Sequence, residues 1–216
     1  MNFKFIYKVS IILFLLTSFL LSGEFYVNPY YLHKIKKDSR SYRIIEDYVR
    51  FLNSIKNKDY KTKLTRVNSY INQLNSHYDA YTYNKDEYWA TPFEFLSNQG
   101  GDCEDYVIAK MYSLERLGIS KKKMYLSAVK EKYIGGDHMV LSVSFDDNKP
   151  PLVLDNLSTK VLPIDKRVDL KLIFMFNEYG FYNLINYNKL IERKKIDIQS
   201  YENFKHRFTA DFIIIR

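Results

Sequence analysis

Apolar side chains recur at helical spacing in two stretches of the first half of the chain. The apolar positions are Tyr42, Ile45, Tyr48, Val49, Leu52 and Ile55 in the first stretch, and Leu64, Val67, Tyr70, Ile71 and Leu74 in the second. Spacings of three and four residues place such side chains on one face of a helix. The pattern therefore predicts two amphipathic helices, over 41–55 and 61–76, whose apolar faces belong to the core.

Two further helices are predicted on either side of a glycine pair. The sequence TPFE at 91–94 combines a capping box with proline at the first helical position, which indicates a helix start. That helix has to end at the glycines 100–101, and the next begins at Asp102 or Cys103 and runs to the terminator Gly118. We therefore expect Cys103 in the first turn of a central helix.

The second half of the chain consists of short segments rich in β-branched and aromatic residues, which predict strands. The segments are 125–130, 138–145, 152–157, 172–176 and 181–184, and 212–215 is expected to close the same sheet. The turn sequences DDNKPP and NEYG predict that neighbouring segments form antiparallel hairpins. Residues 24–37 are interpreted as a connecting segment. Helices followed by antiparallel strands indicate an α+β fold, with 24–216 as one domain.

The N-terminal sequence has the pattern of an export signal. Lys4 and Lys8 form a basic region, and the apolar run from Val9 to Leu21 is shorter than the roughly 20 residues that span a membrane. Residues 1–23 are therefore predicted to be a signal peptide, or an N-terminal anchor in the inner membrane if they are not cleaved. In both cases the remaining chain is exported.

The charge distribution argues against a nucleic-acid partner. The formal net charge is +8, and without the two lysines of residues 1–23 it is about +6. Lysine and arginine are spread along the chain between acidic residues, whereas a nucleic-acid site is usually a basic cluster. We expect no nucleic-acid partner.

Cys103 is the only cysteine among the 216 residues, so the chain has no internal disulfide. An unused thiol is a liability in an oxidising compartment, which favours a function for it. However, its neighbours Asp102, Glu104 and Asp105 are acids, and like charges raise the pKa of a thiol.

A histidine and an aspartate are placed to assist this thiol. A cysteine hydrolase needs a base for its thiol and a polar group that orients the base. His138 opens one predicted strand and Asp155 ends the next, so their hairpin would bring the two side chains together. A helix N-terminus favours an anion, which suits Cys103. Singly, each residue has an ordinary structural interpretation; their order and spacing predict a Cys-His-Asp triad.

The order of these elements is that of the transglutaminase-like cysteine proteinase superfamily. The run YWATPFEFLSNQGGDCEDYVIAKMYSLERLGI, followed by DHMVLSV, LVLDNL and NEYGFY, resembles the bacterial transglutaminase-like cysteine peptidases of the LapG type. The similarity extends over residues 80–185. It implies a papain/transglutaminase-like fold, in which N-terminal helices with the catalytic cysteine at a helix N-terminus pack on an antiparallel β-sheet.

The resemblance also implies a function. Such enzymes are periplasmic, calcium-dependent endopeptidases that cleave the N-terminal region of a large repeat adhesin, often at a di-alanine, and so control biofilm release. Their inhibitory partner is an inner-membrane receptor that responds to cyclic di-GMP. At the matching positions Cys103 would be the nucleophile, His138 the general base and acid, and Asp155 the orienting carboxylate. Asp102 and Glu104 would be calcium ligands.

A calcium site here has a physical rationale as well. Ca²⁺ prefers oxygen ligands and would neutralise the carboxylates beside the thiolate. The alternative is that Asp102 is a helix N-cap and Glu104 a favourable charge in the first turn. Trp89, in the matching WATP block, would either shape the site or belong to the core.

Two other functions remain open at this point. A transglutaminase-like acyltransferase would form the same thioester and pass it to an amine instead of water. A non-catalytic exported binding module would keep the fold without the chemistry.

Overall fold

The computed structural model describes residues 23–37, 39–133, 135–208 and 211–215. The export signal predicted at 1–23 therefore lies, apart from Gly23, outside the described residues. The helices are α1 (Pro29–Leu32), α2 (Arg40–Ile55), α3 (Tyr60–Ile71), α4 (Asp79–Tyr83), α5 (Pro92–Ser97), α6 (Cys103–Arg116) and α7 (Gln199–Arg207). None of the helices in these ranges has the length and apolar character that crossing a membrane requires.

The strands form one large sheet and two small ones. They are β1 (Phe25–Val27), β2 (Asn75–Ser76), β3 (Gly100–Gly101), β4 (Met124–Glu131), β5 (Gly136–Val143), β6 (Leu152–Asp155), β7 (Ser158–Pro163), β8 (Leu170–Asn177), β9 (Gly180–Ile185), β10 (Lys189–Arg193) and β11 (Ile213–Ile215). The large sheet has seven strands in the order β10-β9-β8-β4-β5-β6-β7, and every neighbouring pair is antiparallel. The predicted α+β fold is therefore confirmed.

The two amphipathic helices form as their patterns predict. Each begins at a polar cap, Ser39 before α2 and Asp59 before α3, whose side chain accepts a hydrogen bond from a backbone N–H of the first turn. The apolar face of α2 is buried, as is that of α3. Helices α3 and α6 lie against β5, β6 and β7, so the main core is the layer between these helices and the sheet.

Helix α3 ends at Ile71, earlier than the predicted Ser76, because Asn72 caps it and, after a short turn, Asn75–Ser76 form strand β2. Strand β2 runs parallel to β3, with Asn75 opposite Gly100. Gly100 has φ +144°, and a Cβ there would overlap the carbonyl of Asn75. Only glycine fits this close approach of the two backbones. The turn of the chain at Gly100 then leads into α6.

The capping box predicted at 91–94 is present at the start of α5. The Thr91 hydroxyl accepts from the Glu94 N–H, and the Glu94 carboxylate accepts from the Thr91 N–H at 2.8 Å. Helix α6 begins at Cys103 and ends at Arg116, just before Gly118, which has φ +89°. Both helices are therefore confirmed, and so is the position of Cys103 in the first turn.

The strand predictions hold for the hairpins and fail at the chain ends. Strand β11 does not close the large sheet, as predicted for 212–215; it pairs with β1, which lies in the segment interpreted as a connection. The edges of the large sheet are occupied by β7 and β10, which the sequence pattern does not predict, and neither does it predict α4, α7 or, within the segment interpreted as a connection, α1. The β1–β11 pair buries Phe25 and Ile213 against the helices, which explains why these residues are apolar.

Candidate active site

Cys103 is the first residue of α6, where the helix approaches β5. Its thiol donates a 2.9 Å hydrogen bond to Oε2 of Glu104, and the sulfur is hydrogen-bonded by the backbone N–H of Met139. Burial raises the pKa of the thiol, and the Glu104 carboxylate raises it further, whereas the Met139 N–H lowers it. In this arrangement the thiol is held protonated. Its sulfur lies beside Met139, the residue that follows His138.

His138 and Asp155 lie side by side, as the predicted hairpin requires. Strand β5 pairs with β6 in a register that sets Leu141 opposite Leu154. Nε2 of His138 lies 2.8 Å from Oδ1 of Asp155, and the two side chains are 8% and 0% exposed. Because Nε2 is used in this contact, Nδ1 is the ring nitrogen that remains for proton exchange.

Asp155 is buried and is held by several hydrogen bonds. The Leu157 N–H donates to Oδ1 at 2.9 Å, and Arg167 Nη2 donates to Oδ2 at 2.6 Å. The backbone of Asp155 is bonded to the side chains of Asn68 and Asn72 on and just after α3. Burial alone would raise the pKa of this carboxyl, but the contacts with His138, Leu157 and Arg167 outweigh it and lower the pKa to about 2. Asp155 is therefore an anion at neutral pH.

Three carboxylates meet directly in front of α6. One oxygen each of Asp79, Asp102 and Asp105 lies within 4.8 Å of the others. Asp79 Oδ2 accepts from the Tyr88 N–H and Asp105 Oδ1 from the Ala90 N–H, at 2.5 and 2.6 Å. The acids stand on α4 and at the start of α6, and the β2–β3 pair brings these elements together.

This acidic group is under electrostatic strain that a cation would relieve. Burial and the neighbouring acids, Glu104 first, raise the pKa of Asp102 to about 10, and burial raises that of Asp105 well above its ordinary value. Asp102 is the N-cap residue of α6 but makes no capping hydrogen bond through its side chain. Its Oδ1 and the Oδ2 of Asp105 are buried, and neither has a hydrogen-bond partner among the residues that the structure describes. Unpaired, hard oxygen donors of this kind suit Ca²⁺.

The carboxylate group differs in part from the ligand pair that the sequence predicts. Asp102 is a member of it, whereas Glu104 borders it, with its carboxylate next to that of Asp102 and in a hydrogen bond with the Cys103 thiol. Its other two members, Asp79 and Asp105, are not among the ligands that the sequence predicts. Asp105 stands in the same acidic run as Asp102, but Asp79 is brought close only by the tertiary fold. The assignment of Glu104 as a ligand stays a prediction.

Two further buried groups lie close to these residues. Trp89 is 2% exposed and its ring is near Phe176 and Tyr201, with centroid distances of 6.3 and 5.7 Å, which is a core position. Lys110, on α6, is fully buried, and its Nζ has no hydrogen-bond partner within the described part of the chain. Burial lowers the pKa of Lys110 to about 7, although the charge of Asp155 opposes this shift.

The arrangement contains the groups of a nucleophilic acyl-transfer site. A thiol at a helix N-terminus lies beside a strand whose imidazole is bonded to a buried anion. The first N–H groups of a helix have no partner within the helix, so the start of α6 can supply donors for a developing oxyanion. Chemically, such a site can form and resolve a thioester.

Comparison with known proteins agrees with this chemistry. The family model described as bacterial transglutaminase-like cysteine proteinase, BTLCP, matches residues 47–169. That range contains Cys103, His138, Asp155 and the whole acidic group. None of the curated protein sequences matches the chain significantly.

Solved structures of LapG from Legionella pneumophila have the same fold. The calcium-bound structure is 28% identical, with a TM-score of 0.68 over 82% of this chain and 94% of that one. An EGTA-treated structure is 29% identical, with a TM-score of 0.68 over 81% and 92%. A third LapG structure is 29% identical, with a TM-score of 0.67 over the same shares.

Proposed function

The chain belongs to the family of bacterial transglutaminase-like cysteine proteinases, and on that premise we propose that it is a periplasmic, calcium-dependent endopeptidase that cleaves the N-terminal region of a large repeat adhesin. Cleavage there would release the adhesin and control biofilm dispersal. The observation that carries the proposal is the hydrogen bond between His138 and buried Asp155, next to the strand residue that contacts Cys103.

In this proposal each residue has one role in hydrolysis. The Cys103 thiol transfers its proton to Nδ1 of His138, and the thiolate attacks the scissile carbonyl carbon. His138 then donates that proton to the leaving amine. It later takes a proton from the water that attacks the thioester, and returns it to the Cys103 sulfur as the C–S bond breaks. Asp155 holds the ring by Nε2 and stabilises the imidazolium form. Backbone N–H groups at the start of α6 are the donors for the oxyanion.

Calcium would be held by Asp79, Asp102 and Asp105, with Glu104 as the further predicted ligand. When bound, the cation supplies positive charge that neutralises these carboxylates and fixes the start of α6. Two observations support it: the unpaired buried oxygens of Asp102 and Asp105, and the calcium-bound and EGTA-treated forms of the similar LapG. An inner-membrane, cyclic-di-GMP-responsive receptor is the inhibitory partner in this proposal.

The test uses residues 24–216 and the N-terminal fragment of a repeat adhesin exported by the same organism. We expect one defined cleavage in calcium, none in EGTA, and recovery when calcium is restored. The matched control is Cys103→Ala. In parallel, incorporation of a labelled primary amine into the fragment measures acyl transfer. Amine incorporation without cleavage would replace the endopeptidase by an acyltransferase, and cleavage that EGTA does not affect would remove calcium from the function.

A further inference from the structure

Arg167 is a buried arginine behind the proposed catalytic pair. It follows the short 3₁₀ turn Ile164–Lys166, between β7 and β8, and is 6% exposed. The turn brings it under the end of β6, where Asp155 stands. Nothing in the sequence pattern distinguishes it from the other arginines of the chain.

The guanidinium group joins two carboxylates. Nη2 donates to Oδ2 of Asp155 at 2.6 Å and to Oδ2 of Asp169 at 2.5 Å. Nε donates to both oxygens of Asp169, at 2.9 and 3.1 Å. Asp169 thus fixes the plane of the guanidinium, and the guanidinium presents a directed N–H to Asp155.

The two oxygens of Asp155 consequently have different partners. Oδ1 receives His138 Nε2 and the Leu157 N–H, and Oδ2 receives Arg167. A carboxylate bonded on both oxygens cannot rotate about its Cβ–Cγ bond without breaking a buried charge-assisted hydrogen bond. The orientation of the His138 ring is therefore linked, through Asp155, to Arg167.

We propose that Arg167 is a positioning residue for peptide hydrolysis: it fixes the Asp155 carboxylate in the orientation that holds His138, and Asp169 in turn fixes Arg167. This inference rests on the proposed endopeptidase function. Arg167 itself reaches no reacting atom and acts only through Asp155.

Lys110 does not duplicate this role, although it is the other buried cation that Asp155 influences. Its Nζ makes no hydrogen bond to Asp155 or to any other described residue. Lys110 therefore adds positive charge near Asp155 but does not hold the carboxylate in one orientation. Arginine is needed because a lysine ammonium has no planar fork that could bind Asp169 and Asp155 together.

The first experiment is a double-mutant cycle between Arg167 and Asp155, measured as kcat and KM on a cleavable peptide. We expect Arg167→Met to lower kcat at least about tenfold, because misplaced catalytic groups lose rate steeply, with KM nearly unchanged. In an Asp155→Asn background the same substitution should change kcat by less than about twofold, because its target is already lost. Losses that multiply instead would mean that Arg167 affects kcat independently of Asp155, and would overturn the proposal.

The matched control is Arg116→Met, because Arg116 also forms an ion pair with an aspartate, Asp211, at 2.8 Å. It should leave kcat unchanged. Arg167→Lys should recover part of the lost kcat, since a lysine can still approach Asp155. Should Arg167→Met fail to fold, Arg167→Lys and Asp169→Asn take its place in the cycle, with the same non-additivity expected.

A second readout does not depend on the substrate. The His138 Nε2–H that is bonded to Asp155 should give a strongly downfield proton NMR signal, which His138→Ala identifies by its loss. We expect the signal in the wild type and in Arg116→Met, and an upfield shift or loss by exchange in Arg167→Met. If the wild type cleaves nothing, the endopeptidase proposal fails while this signal still tests Arg167. An unchanged signal in folded Arg167→Met would refute the positioning role.

Discussion

Nε2 of His138 lies 2.8 Å from Oδ1 of Asp155, although the two residues are 17 apart in the chain. The hairpin between β5 and β6 makes this contact, and Cys103 reaches the same strand through the N–H of Met139.

Removing the thiol or the imidazole should abolish cleavage. Cys103→Ala and His138→Ala are each expected to lower kcat/KM by at least about 10³-fold, because neither the nucleophile nor its base has a substitute. Peptide hydrolysis at pH 7 in calcium measures the loss, and circular dichroism verifies the fold. His206→Ala is the matched control, since His206 is exposed on α7. Residual activity within tenfold of wild type would remove either residue from the mechanism.

Asp155→Asn should impair both activity and stability, and the stability loss should depend on pH. The activity loss is expected to be smaller than for His138→Ala, because the amide oxygen can still accept the ring N–H. The pKa of Asp155 is lowered from 3.8 to about 2, so its ionic contribution is present above about pH 4 and is lost as pH falls towards 2. This contribution is about 2–3 kcal/mol in the free energy of unfolding.

Urea unfolding of wild type and Asp155→Asn between pH 7 and pH 2 measures this contribution. The difference in the free energy of unfolding between the wild type and Asp155→Asn should decrease below pH 4. Exposed Asp137→Asn is the control and should change little at any pH. A difference that stays constant down to pH 2 would contradict the ionic interpretation.

Calcium should stabilise the protein through the acidic group in front of α6. Ligand binding to the native state raises Tm, so calcium added after EGTA treatment should increase Tm in the wild type. Asp79→Asn should remove most of this increase, because Asp79 supplies one of the clustered oxygens. Asp86→Asn, an exposed acid nearby, should keep it. Thermal unfolding measures all three, and a full calcium response in Asp79→Asn would place the ion elsewhere.

Lys110→Met should stabilise the protein near neutral pH. The pKa of buried Lys110 is lowered from 10.5 to about 7, so the native state is penalised for its charge most strongly below pH 7, and the penalty declines as pH rises towards 10.5. Methionine fits a similar volume without the charge and should raise the free energy of unfolding by about 2–4 kcal/mol at pH 6. Denaturant titrations at pH 6 and pH 10 test this. An increase in the free energy of unfolding that is equal at pH 6 and pH 10 would show that the charge of Lys110 is not the cause.

The sequence predicts those parts of the site that local patterns determine. The capping box at 91–94 and the glycine pair before Cys103 define two helix starts, and turn residues define the hairpin that joins His138 to Asp155. Each of these signals is contained within a few neighbouring residues. The structure therefore confirms the position of Cys103 in its helix and the His138–Asp155 contact.

Contacts between distant segments could not be predicted in the same way. Asp79 joins Asp102 and Asp105 only because β2 pairs with β3, a strand pair of two residues on each side with no periodicity to detect. Arg167 lies in a turn sequence without a distinguishing pattern. Its proposed positioning role depends on the fold, which brings the Asp155 carboxylate next to it. The prediction that residues 212–215 close the large sheet is wrong for the same reason. An apolar segment such as Ile213–Ile215 has the same pattern whichever sheet it joins.

The pairing of β1 with β11 also has a consequence for the order of folding. Phe25, buried on β1, has its partner strand at 213–215, and closing so long a loop carries a large entropic penalty before any contact compensates for it. The Ile213 N–H, moreover, donates to the Tyr112 hydroxyl on α6 at 3.0 Å. The helix that presents Cys103 therefore gains this lateral contact only after residues 213–215 have been synthesised and have docked. A nascent chain would in this way remain incompletely assembled until residues 213–215 are available to pair with β1.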